Sequence, residues 1–315
     1  MIKTPLCELL GIEYPILQGG MAWIADASLA AAVSNGGGLG LISAMNANAE
    51  WVKGEIRKAK MLTDKPFGVN IMLMSPYAQE VARLVIDEGV PVVTTGAGNP
   101  SQYMAAWLEA GVKVLPVVAS TGIAKRVARC GAVAVIAEGC ESGGHIGELT
   151  TMTLVPQVCD AVDLPVVAAG GIADGRGIAA AFLLGAAGVQ VGTRFLVANE
   201  CGVHQNYKNK ILHAKDIDTL TTGKRTGHPV RALKTAFTRE FAKKEYAVGV
   251  SSEDLEAFGS GALRRAAVEG DEKNGCFMAG QIAAIVDKEQ PAAEIIREMF
   301  GEAETVLGGA GRWIK

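Results

Sequence analysis

The sequence lacks an apolar run long enough for export or for a membrane. In the N-terminal stretch MIKTPLCELLGIEYP, Glu8 and Glu13 interrupt what a signal peptide would need as an unbroken apolar core. The longest uncharged stretch, 27–49, is broken by Gly36, Gly37, Gly38 and Gly40, as the one between Arg176 and Arg194 is by Gly177, Gly185, Gly188 and Gly192. Each reads as a helix followed by a strand, not as the ~20 mostly apolar residues of a spanning helix. Cysteine is sparse as well. The six, at 7, 130, 140, 159, 201 and 276, form no C-x-x-C pair and no metal-ligand spacing with histidine. Reduced thiols in a cytoplasmic protein, with no metal site, are the expectation. Excess charge is missing too: 30 Lys+Arg stand against 33 Asp+Glu, net −3, so no global basic field invites nucleic acid. Neither nucleotide fingerprint is present. No G-x-G-x-x-G occurs, and Gly223-Lys224 is followed by Arg225 where a P-loop needs Ser or Thr.

What the chain has in quantity is glycine, 39 of 315 residues, in a background that is 49% hydrophobic. That apolar content excludes disorder. The first two-thirds repeats one rhythm, a short apolar strand followed by an amphipathic helix. Strands are expected at 14–18, 38–43, 67–72, 90–95, 112–118, 132–137, 164–169 and 188–193. Helices are expected to begin near Asp26, Asn48, Pro76, Ser101, Thr121, Thr150 and Asp174. Runs such as VPVVTT are continuously apolar, as parallel strands covered on both faces are. Eight βα units make an α/β TIM (β/α)8 barrel, with a doubly wound open sheet as the competing arrangement. The rhythm stops near residue 200. Residues 201–274 read as a small insert or cap after the eighth strand, with one helix over 230–246 and another over 252–257. Residues 1–200 and 275–315 are assigned to the barrel. His204, His213 and His228 fall in the insert and read as surface residues.

In a TIM barrel the chemistry lies at the C-terminal ends of the strands. Glycine collects there, where it lets backbone N–H groups approach a ligand. Gly170-Gly171 and Gly192-Thr193 follow the last two barrel strands, where this fold usually holds phosphate. The alternative is that these glycines only relieve crowding in tight turns. Asn70 ends the third strand and suits a ring carbonyl or a ribityl hydroxyl, or a turn cap. Glu138 suits a ribityl hydroxyl, a cation or an Arg partner. Met21 and Trp23 either pack on a ring or fill the barrel top. His145 sits in a glycine-rich loop, and imidazole is the side chain best suited to proton transfer near pH 7.

Segments YPILQGGMAWIAD (14–26), KPFGVNIMLMSP (65–76), VVTTGAGNPS (92–101), AEGCESGGHIG (137–147), VVAAGGIADGRG (166–177), VQVGTRFLVANE (189–200) and MAGQIA (278–283) resemble the FMN-dependent enoyl-acyl-carrier-protein reductase II group, within the wider nitronate monooxygenase-like flavoproteins. The resemblance spans nearly the whole chain. It implies an FMN whose phosphate lies on Gly170, Gly171, Gly192 and Thr193. The ring would lie near Gly20, Met21, Ala22, Asn70 and His145, with Glu138, Gly143 and Gly144 completing the cofactor set. It further implies NADH or NADPH as reductant, His145 as the catalytic residue and an enoyl thioester of acyl carrier protein as substrate, in the last step of fatty acid elongation. A monovalent cation and a homodimer are weaker implications. Nitronate monooxygenase is the alternative within the family, and a non-redox barrel that binds a phosphorylated ligand is the alternative outside it. Residues 207–246 carry a net +6, with Leu233, Phe237 and Phe241 on one face of the expected helix and Arg231, Lys234, Arg239 and Lys243 on the other. That basic face is the expected dock for the acidic carrier protein.

Overall fold

The computed structural model describes residues 2–44 and 47–313. Eight parallel strands form the barrel: β1 (Ile16–Gln18), β2 (Gly40–Ser43), β3 (Phe67–Met72), β4 (Val92–Gly96), β5 (Lys113–Val118), β6 (Val135–Glu138), β8 (Val166–Ala169) and β9 (Gly188–Val191). Their order around the barrel is β1-β9-β8-β6-β5-β4-β3-β2. A bridge between Leu17 and Leu39 closes β1 on β2. The architecture is the expected TIM barrel.

β1, β4 and β8 begin two residues later than expected, and proline is the reason. Pro15, Pro91 and Pro165 immediately precede β1, β4 and β8 and have no N–H to give to a ladder. Their carbonyls still serve, accepting from the amides of Val189, Lys113 and Val135. Three of the seven expected helix starts are capped as their residue types dictate, whereas Thr150 stands at its N-cap without a side-chain bond. Asp26 accepts from the amide of Leu29, Asn48 from Trp51 and Asp174 from Gly177, each at 3.0–3.1 Å.

The barrel interior is filled by Leu17, Leu41, Val92, Leu115, Ile136 and Val167. An additional helix, Pro5–Leu10, joins this cluster through Leu6 and Leu10, and Leu6 lies against Gly188 at the N-terminal end of β9. It plugs the bottom of the barrel, so only the opposite mouth is open to a ligand. Two larger clusters lie between the strands and the surrounding helices. The helix Ala292–Gly308 packs against Gly175–Leu183 and completes the outer ring. Among the described residues, no helix is long and apolar enough to cross a membrane.

A second, three-stranded sheet was not anticipated. β7 (Gly144–His145), from the loop after β6, pairs antiparallel with β11 (Val230–Leu233), which pairs with β10 (Thr219–Thr222). The single helix expected over 230–246 is therefore corrected. Its first four residues are β11, and the helix runs Ala236–Glu245. Thr235 and Thr238 form a reciprocal cap that starts it afresh. Arg231, expected on a solvated helix face, is buried, donating through Nε to the Cys140 carbonyl and through Nη1 to Thr219 Oγ1. Together with the helix Ser252–Gly259, these elements cap the barrel mouth around a separate small cluster of Ala232, Phe237, Ala262 and Cys276. Tyr207 and Ile211, by contrast, pack into the barrel-side core.

Candidate active site

The strand ends and the cap enclose one cavity at the mouth, with about 1280 Å³ of open volume. All twelve residues singled out from the sequence line it: Gly20, Met21, Ala22, Asn70, Glu138, Gly143, Gly144, His145, Gly170, Gly171, Gly192 and Thr193.

The end below β8 and β9 is a cradle of backbone. Gly170 and Gly171 have φ of +89° and +71°, a conformation that side chains beyond glycine rarely adopt. A Cβ on Gly170 would lie 2.8 Å from the Gly139 carbonyl oxygen. Thr151 Oγ1 donates within reach of the carbonyls of Ala169 and Gly170 and of Glu141, which ties this loop to the neighbouring one. The amides of Gly171, Gly192 and Thr193 have no hydrogen-bond partner among the described residues. Thr193 Oγ1 accepts from the amide of Gly280 at 2.9 Å, so its own proton is free to be donated. A set of unsatisfied donors converging on one spot fits a phosphate.

Further along the cavity, Asn70 is pressed against Gly20, where a Cβ would lie 2.4 Å from the Asn70 side chain. Its Nδ2 donates to Thr94 Oγ1 at 2.9 Å, and its Oδ1 has no partner among the described residues. Flat, glycine-lined walls with one oriented amide fit an aromatic ring that carries its own donors and acceptors. The residues present thus suit a flavin mononucleotide. Glu138 is enclosed at the end of β6 and accepts from Ser142 Oγ at 3.0 Å. Burial raises its pKa to about 7, only partly offset by the serine bond.

His145 stands between this cradle and the cap. His145 is exposed to the cavity, yet the protein around it displaces enough water to hold its pKa below the usual imidazole value, and the nearby His228 adds to the effect. His228 and His213 are exposed as expected, whereas His204 is half-buried and its Nδ1 accepts from the amide of Asn206. Trp23 is 44% exposed at the cavity rim, with the Arg264 guanidinium 5.9 Å from its ring centroid. Sequence reasoning missed Glu141, whose carboxylate accepts from the amide and hydroxyl of Thr151 and lines the cavity. The A-E-G-C-E-S segment contains it and was its only signal. Met278, which opens the MAGQIA segment, also lines the cavity, as do Tyr207 and Leu263. Among the described residues, no three His, Cys, Asp or Glu side chains converge as a metal-ion set.

A model of the nitronate monooxygenase family matches residues 3–302. The chain belongs to that family and is a flavin-type oxidoreductase. It is similar to the solved structure of FabK from Thermotoga maritima, with 49% identity, full coverage of both chains and a TM-score of 0.97. That likeness supports the resemblance to enoyl-acyl-carrier-protein reductase II. Two curated relatives carry other names. One is a (3aS,4S,5R,7aS)-5-hydroxy-7a-methyl-1-oxo-octahydro-1H-indene-4-carboxyl-CoA dehydrogenase of Mycobacterium tuberculosis, 35% identical over 100% of this chain and 99% of that one. The other is a probable nitronate monooxygenase of Staphylococcus saprophyticus, 33% identical over 97% and 99%.

Proposed function

We propose that the protein reduces trans-2-enoyl thioesters of acyl carrier protein to the saturated acyl thioesters, with NADH or NADPH as reductant and FMN as resident cofactor. Bound flavin supplies two-electron hydride chemistry between the two substrates. The overall change takes one hydride from the nicotinamide and one proton from solvent, and both add across the double bond.

The amides of Gly171, Gly192 and Thr193, with the Thr193 hydroxyl, hold the phosphate. Gly20, Met21, Ala22, Gly143 and Gly144 would hold the ring, and the free Oδ1 of Asn70 would offer it an acceptor. Glu138, protonated through much of the range below pH 7, adds a donor without adding negative charge beside a phosphate. His145 is neutral at pH 7 because its pKa is depressed. A neutral imidazole N–H donates to the thioester oxygen as charge builds there during hydride addition. The same ring then conducts the proton that ends on the α-carbon.

The observation that carries this reading is the position of His145, between a polar glycine cradle and an apolar cap. The likeness to FabK supports it. The six cysteines form no disulfide, which suits a reducing cytoplasm. A homodimer and a monovalent-cation requirement accompany the proposal. Sedimentation tests the first, and assays with and without potassium test the second.

Anaerobic titration decides between this reaction and nitronate oxidation. NADH or NADPH is expected to bleach the flavin absorbance, and crotonyl thioester is expected to restore it. A flavin that the thioester leaves reduced, in a protein that consumes oxygen with a nitroalkane, would overturn the reductase reading.

A further inference from the structure

The cap holds a second cavity, with about 1260 Å³ of open volume, that the reaction above does not use. It shares Ala22, Met72, His145, Leu263 and Met278 with the glycine-lined cavity. The two are therefore one continuous space with His145 at the junction. Away from the shared wall Phe237, Phe241, Leu255 and Cys276 line one part of it and Thr222, Thr226, His228, Glu256 and Ser260 another, and more apolar than polar surface faces the space. Phe237 stacks on Phe258 with ring centroids 5.1 Å apart, and Phe241 lies 6.0 Å from the same ring. Burial pushes the Cys276 thiol up to about 12, so it counts as a small neutral hydrophobe here.

The cap has kept this space at a cost to its own packing. Its separate cluster has four buried residues, Ala232, Phe237, Ala262 and Cys276. Protein interiors otherwise fill to crystal-like density, because groups that face a void forfeit their dispersion contacts. A space that puts phenylalanine rings beside a reaction site and faces them with mostly apolar surface suits an apolar occupant. A dinucleotide fits poorly, since its phosphates would share the space with the Glu256 carboxyl group. The one Lys or Arg in the lining, Arg264, is bonded to Glu269. Met72 and Met278 at the junction are unbranched and can reshape around a flexible chain.

We propose that this second cavity is a channel for the aliphatic chain of the thioester substrate, and that the Phe237 and Phe241 rings set the chain length it accepts. The proposal rests on the thioester reading above for the identity of the occupant. The test is calorimetric titration of the flavin-loaded enzyme with saturated pantetheine thioesters from butanoyl to dodecanoyl, which bind without turnover. Affinity is expected to rise about two- to fourfold per methylene until the channel is full, and then to level off. Phe241→Trp is expected to bring the plateau to shorter chains, and Phe241→Ala to longer ones. An affinity that does not depend on chain length would overturn the proposal. So would a plateau unmoved by both variants, or variants that raise only the KM for the nicotinamide coenzyme. A length-dependent affinity in an enzyme that reduces no enoyl thioester would leave the channel standing and sink the reductase reading.

Discussion

The barrel mouth and the cap above it enclose the same ligand space by opposite means. At the mouth, most strand residues are buried, and loop glycines such as Gly139, Gly143 and Gly170 approach neighbouring backbone too closely for a Cβ. In the cap, a thin cluster of four buried residues and three phenylalanine rings surrounds open volume. The difference separates two tasks. A cofactor of fixed shape is met by rigid backbone, and a substrate of variable length is met by side chains that can shift.

The largest effect that tests this division is expected from Gly170→Val. The φ of +89° and the 2.8 Å approach to the Gly139 carbonyl leave no room for a branched side chain. We expect the purified protein to hold less than about a tenth of the wild-type flavin, read from visible absorbance. Full flavin content would show that the mouth is as adaptable as the cap. His145→Ala comes next. It is expected to lower enoyl reduction about 100-fold while flavin content is kept. Because the surrounding protein depresses the histidine pKa, the acid limb of the wild-type rate profile is expected below pH 6.5.

Smaller effects are expected on the outside of the cap. Lys234 and Lys243 are exposed and hold no ion pair among the described residues. Reversing both to Glu is expected to raise KM for carrier-bound substrate about five- to tenfold and to leave KM for a pantetheine thioester in place. Equal changes on both substrates would remove this face from carrier docking. The smallest effect is a stability difference. Glu138 has a folded pKa of about 7 against 4.5 for the free carboxyl. Its raised pKa favours the fold fully below 4.5, and that contribution is lost as pH rises through 7 and the carboxylate must be buried charged. Glu138→Gln is therefore expected to melt with wild type at pH 4.5 and about 2–5 °C above it at pH 8.5.

Legibility in the sequence followed the same division. β4 and β8 lie within runs such as VPVVTT and LPVVAA, because a parallel strand buried on both faces must be apolar throughout. Gly170-Gly171 and Gly192 stand out because they directly follow β8 and β9. The cap was harder to read. β7 has two residues, too few for any periodicity, and its partner β11 lies more than eighty residues away. In 230–246, apolar spacing suggested one helix, and only Thr235, a good N-cap, marks the true start. Arg231 looked solvated because its acceptor, the Cys140 carbonyl, is far off in sequence. Contacts that long-range pairing creates leave no local pattern.

The pairing of β7 with β11 joins His145 to the cap through Val230, and the amide of Ile146 to the Pro229 carbonyl at 3.0 Å. His145 thus belongs to the cap's cooperative unit, although its sequence neighbours belong to the barrel. Deuterium uptake at 144–146 is expected to keep pace with 230–233 and to outrun β6. Gentle heating would then silence the enzyme while its barrel, with the flavin cradle intact, remains folded.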